Sequence, residues 1–228
     1  MIILKCINMN SYKLLLIGML LVTFTLLGCG GANDEIKKPQ IKSISETKVT
    51  VKVNKPQPSH PLVDASLKQI GVTTSYDPSY VSLSFPNGDV PIKTGVCSDV
   101  IVRSLRTAYK MDLQKLINED MIANFTQYPK IWGLKRPDKN IDHRRVPNIK
   151  TYLKRKGYAL KLNAKIENYQ PGDIVSCIIG KSTAHIYIVS SKKNPKGVPY
   201  IIHNIGSGAR EEDAFLNFKI TGHYRISK

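Results

Sequence analysis

The chain has 228 residues, with 34 lysines and arginines against 17 acids, a formal charge of +17. That balance argues against a cationic partner and directs attention to anionic ones, and no internal repeat marks a solenoid or array. Four cysteines are present, but no Cys-x-x-Cys pair and no His/Cys cluster at zinc spacing, so no metal or other cofactor is expected.

The chain opens with Lys5 and Lys13 and then runs apolar through "LLLIGMLLVTFTLLGC". The run is shorter than the ~20 residues of a permanent span. A basic segment followed by a short apolar one is the pattern of a secretory leader. Its end, Leu26-Leu27-Gly28-Cys29, resembles a bacterial lipobox, which makes Cys29 the expected lipidation site and membrane anchor of a mature exported chain. Residues 1–29 are therefore expected to be a lipoprotein signal, and the polar, Lys/Pro/Ser/Thr-rich stretch 30–59 a tether. Taking Lys5 and Lys13 from +17 leaves +15 on the mature chain. Outside the cytoplasm the expected partner is not nucleic acid. It is anionic envelope material: peptidoglycan carboxylates, glycan phosphates or lipid headgroups.

Residues 60–228 read as one domain with its own core, expected to be monomeric. "PLVDASLKQIG" has helical apolar spacing and a Gly71 stop, whereas "YDPSYVSLSFPNGDVP" is rich in turn residues. Helices are expected from Ser98 to about Lys110, in "MDLQKLINEDMIANF" and in "VPNIKTYLKRKG". The period then changes to that of strands in "GDIVSCIIG", "AHIYIVS", "PYIIHNIG", "AFLNFKI" and "GHYRI". Helices followed by a mostly antiparallel sheet predict an α+β domain.

Within "TGVCSDVIVRSLRTAYK", Cys97 falls where a loop becomes a helix. A free thiol ionises only above pH ~8.5, and a helix N-terminus favours the thiolate. An adjacent imidazole then serves as base, and a third polar group orients it. His185 and His203 lie on successive predicted strands, where neighbours sit side by side. Cys97 is thus a candidate nucleophile, with the two histidines suited to a base and its orienting partner. Tyr76 precedes the cysteine in a turn and is a candidate oxyanion donor. Asp99, Arg103, His143 and Arg144 are candidates for binding an anionic substrate, Asp99 having the alternative role of complementing the helix dipole. Cys177, in an apolar run, reads as core.

The order of Cys97 at a helix head, "PGDIV", "AHIYIV" and "IIHN" resembles the NlpC-type cell-wall cysteine peptidases of the papain-like superfamily. More closely, "YDPSYVSLSFPNGDVP", "GVCSDVIVRSLR", "DLQKLINEDM", "NIDHRRVPN", "PGDIV", "HNIGSG" and "GHYR" resemble the bacterial domain-of-unknown-function 1287 family over residues 65 to 226. The resemblance implies a papain-like fold and a lipid-anchored thiol hydrolase acting on amide bonds of peptidoglycan, with Cys97 as nucleophile, His185 as base, His203 as the orienting group and Asn204 as the alternative third residue. It departs from the NlpC pattern in having Val96 before the cysteine and a long gap between His185 and His203. A non-catalytic lipoprotein that binds wall glycopeptide and a thiol acyltransferase acting on lipid are the alternatives.

Overall fold

The computed structural model describes residues 60–162 and 165–227. The leader, Cys29 and the tether expected before residue 60 lie outside the described residues. No described helix is long and apolar enough to cross a membrane.

Four helices come first. α1 (Pro61–Leu67) begins on a proline, whose missing N–H would have no helical partner there. α2 (Cys97–Tyr109) follows Val96, which has no side-chain cap to offer. Asp99 compensates: its carboxylate accepts the Val96 N–H at 2.7 Å, at the positive end of the helix. α2 ends where Lys110 turns left-handed at φ 58°. α3 (Leu113–Asn124) is capped by the Asp112 carboxylate, and α4 (Val146–Arg155) stops before Gly157 at φ 78°.

Six strands follow: β1 (Ala159–Leu160), β2 (Ile174–Ile179), β3 (Thr183–Lys193), β4 (Pro199–Asn204), β5 (Ala209–Glu212) and β6 (Lys219–Tyr224). They form one antiparallel sheet in the order β1-β6-β2-β3-β4-β5, so the domain is α+β as expected. Two local expectations change. "AFLNFKI" is not a strand from its start: Phe215–Asn217 make a 3₁₀ turn that drives the Phe215 ring edge-on against Tyr169 at 5.0 Å, and β6 begins only at Lys219. Neither edge strand was expected: β1 is only two residues long and "AREE" of β5 has no apolar alternation, and each is held by backbone pairing, to β6 and to β4.

The sheet is buried on both faces. Ile174, Ile186, Ile188 and Ile202 pack against Ile101 and Leu105 of α2 and Ile149 and Leu153 of α4. Val175, Cys177, Tyr187, Val189 and Ile201 pack on the other side against Tyr169 and Phe215. Cys177 is therefore core, as expected, and both described cysteines are free thiols. Both apolar clusters are built from described residues of 60–227, which belong to one compact unit spanning Lys52–Lys228.

Candidate active site

Cys97 occupies the first turn of α2 and is 4% exposed, at the edge of a cleft of about 210 Å³. Tyr76, Trp132, Arg144, Arg145 and Ala184 are among the residues that line the same cleft. Tyr76 and Cys97 line the same cleft, close enough for the thiol to raise the phenol. Burial is the main reason the Cys97 thiol is pushed up to about 11; backbone N–H donors of Ile186, Ser98 and Cys97 itself oppose this, and the Asp99 carboxylate adds to it. Burial and the neighbouring Cys97 and Asp99 push the Tyr76 phenol up to about 12, so it remains a proton donor at any physiological pH. The cleft thus holds a protonated thiol and a phenolic donor beneath two guanidinium groups.

Asp99 and Arg144 do meet, but as a buried pair. Arg144 Nε and Nη2 each lie 3.0 Å from an Asp99 oxygen in a bidentate arrangement. Arg144 also donates to the carbonyls of Ser79 and Asp77, at 3.0 and 3.1 Å. Together they tie the helix head to the loop that carries Tyr76, so Asp99 fills its helix-capping alternative. Arg103, expected to bind substrate, is committed elsewhere: it chelates Asp89 and donates to Thr73 Oγ1 and the Val90 carbonyl. His143 is also withdrawn from the cleft, at 2% exposure, and burial lowers it to about 4, so it is a neutral core histidine. Asn204 is fully buried and its amide donates to the carbonyls of Ser75 and Gly95 at 3.1 and 2.9 Å. It clamps the loops leading to Tyr76 and to Cys97, a positioning residue rather than a partner of a histidine.

The expected contact between Cys97 and His185 is not formed. On β3, Ala184, Ile186 and Ile188 face the helix layer and Cys97, whereas His185 shares the opposite face with Tyr187 and Val189. His203 lies beside Ile201 on that same far face. The two histidines do meet as neighbours on adjacent strands: His185 Nε2 is 2.9 Å from His203 Nδ1, and His203 Nε2 is 3.0 Å from Glu212 Oε2. Burial lowers both imidazoles, His185 to about 3, so both are neutral at neutral pH. With Glu212 accepting the Nε2–H of His203, Nδ1 of His203 is left to accept the Nε2–H of His185. The sequence placed these histidines together correctly and put them on the wrong side of the sheet from the thiol.

Trp132 was missing from the expected set, whereas Arg145 belongs to the charged loop "NIDHRRVPN" that the sequence pointed to. The Arg145 guanidinium lies 4.2 Å from the Trp132 ring centroid and donates to Asp142 Oδ1 at 2.9 Å. The single tryptophan of the chain, just ahead of a doubled arginine, was the available signal. Among the described residues no group of three or more His, Cys, Asp or Glu side chains is arranged to hold a metal.

Comparison with known proteins adds the family. The chain is similar to the Uncharacterized protein YijF of Escherichia coli (strain K12), 51% identical over 164 residues, which cover 72% of this chain and 80% of that protein. Residues 63–226 match the family described as Domain of unknown function (DUF1287). That span takes in α2, the whole sheet and every cleft residue from Tyr76 to Ala184, and the chain belongs to the DUF1287 family.

Proposed function

We propose that this domain is a thiol hydrolase of the cell envelope, with a papain-like arrangement of its nucleophile, that cleaves amide bonds in carboxylate-bearing wall peptides. The observation that carries the reading is the convergence of the Cys97 thiol and the Tyr76 hydroxyl in a cleft walled by Arg144, Arg145 and Trp132. A peptidoglycan stem offers an amide to the thiol and a carboxylate to the partly exposed Arg145 guanidinium, Arg144 being spent on Asp99 and the loop carbonyls. Cys97 loses its proton to water in the cleft, and Sγ bonds to the carbonyl carbon. The oxygen that becomes anionic accepts the Tyr76 O–H. The C–N bond then breaks, the amine leaves with a proton from solvent, and a second water hydrolyses the thioester. His185 has no step in this scheme, because it lies on the far face of the sheet. The leader and Cys29 supply export and a lipid anchor in the same reading.

A second reading, binding of wall glycopeptide without cleavage, is favoured by one feature: a thiol pushed up to about 11 with no imidazole beside it. The domain from residue 55 and its Cys97→Ala variant, each incubated with purified peptidoglycan, separate the two. Fragments released by the wild type alone, read by mass spectrometry, support hydrolysis and identify the bond. Sedimentation of both proteins with the wall, without fragments, replaces hydrolysis with binding.

A further inference from the structure

The sheet face turned away from the cleft carries an apolar groove of about 330 Å³, lined among others by Leu162, Ile166, Leu216 and Phe218. Leu162 is 50% exposed and Leu216 66%. Leu160 belongs to the same face, since its partner in the sheet is His223, which stacks on Tyr169 of the groove at 4.2 Å. Lys161 sits between Leu160 and Leu162 and Lys219 follows Phe218, and both lysines are exposed. Glu167 is an acid on the same rim. Leucines with lysines as immediate chain neighbours form the pattern of a surface lying in the headgroup region of a membrane, with apolar groups inserted and ammonium groups among the phosphates.

The place where the preceding chain arrives points to the same occupant. His60, the first described residue, packs its ring against Gly172, where even a Cβ would collide with it. Gly172 lies in the turn that leads from Tyr169 of the groove into β2. His60 therefore sits three residues along the chain from Tyr169 of the groove, measured from its contact at Gly172.

We propose that this face docks on the surface of an anionic phospholipid bilayer. The +15 that remains once Lys5 and Lys13 are taken from +17 complements such a surface. Docking in this pose turns the helix layer and the Cys97 cleft away from the membrane. The proposal does not depend on hydrolysis, since no cleft residue takes part in it.

Flotation of the domain from residue 55 with phosphatidylglycerol/phosphatidylcholine vesicles, and with phosphatidylcholine alone, tests the proposal. The expected result is binding to the anionic vesicles alone, at least tenfold weaker in Leu162→Asp/Leu216→Asp and about fivefold weaker in Lys161→Glu/Lys219→Glu. Cys97→Ala, a cleft change, leaves binding within about twofold, so the result is read separately from the hydrolase test. The leucines are exposed, and an unchanged melting curve shows that the variants fold. Absence of binding, equal binding to both vesicle types, or anionic binding untouched by the leucine changes (adsorption of a basic protein by charge alone) overturns the proposal.

Discussion

At the scale of single residues, Cys97 is pulled in opposite directions by its own position. Burial and the Asp99 carboxylate hold the proton on sulfur, while N–H groups at the helix head and from Ile186 favour its loss. Burial wins, so alkylation by iodoacetamide rises about tenfold per pH unit through the alkaline range, since only the thiolate reacts. Mass spectrometry at pH 7 to 10 checks this, and a rate that levels off near pH 7 would show an activated thiol instead. Asp99 and Arg144 face a different constraint, because neither has water to fall back on. Arg144→Ala strands a buried carboxylate and should cost about 3–5 kcal/mol in urea denaturation. Arg144→Lys should recover little of it, because a single ammonium cannot reproduce the bidentate pair together with the bonds to Ser79 and Asp77.

At the scale of elements, α3 and α4 are joined through one carboxylate. Asp120 on α3 accepts from Arg155 Nε at 2.6 Å, from Lys156 Nζ at 2.9 Å and from the Tyr128 hydroxyl at 2.8 Å. Burial alone would raise its carboxyl, but these bonds outweigh burial and hold it well below the ordinary value. A carboxyl lowered by folding stabilises fully above its unfolded value, about pH 4, and that stability is lost as the pH falls through the lowered value. Asp120→Asn should therefore cost about 1–3 kcal/mol at pH 7. It should also lose stability less steeply than the wild type between pH 5 and pH 2, as read by urea midpoints. A parallel loss in the two proteins would remove Asp120 from this role. The same logic of one group joining two elements applies to Asn204, whose amide holds the Tyr76 and Cys97 loops in register.

At the scale of the whole molecule, the sheet is a partition. The helix layer and the Cys97 cleft lie on one side, and the His185–His203–Glu212 chain and the apolar groove on the other. His185→Gln should therefore leave the alkylation rate of Cys97 within about twofold of the wild type at each pH, because the imidazole does not share its proton with the thiol. A tenfold fall in rate would place the histidine beside the sulfur. Much of this architecture was legible beforehand. The helical period ending near Gly157, the strand period after it, the helix beginning at Cys97 and the pairing of His185 with His203 all follow from spacings that act over a few residues or between adjacent strands. The facing of β3 was not legible, for a physical reason. In "AHIYIV" the residues of both parities are apolar, as a strand buried on both faces requires, so no alternation says which side meets the helices. Nor does any local pattern bring Trp132 and Arg145 to a thiol more than thirty residues away along the chain. The sequence by itself determined the helices, the strands β2, β3 and β4 and their order as neighbours, but not β1, β5 or the place of β6 beside β2. Only tertiary packing, in choosing between two equally apolar faces of one strand, decided which side chains share a site.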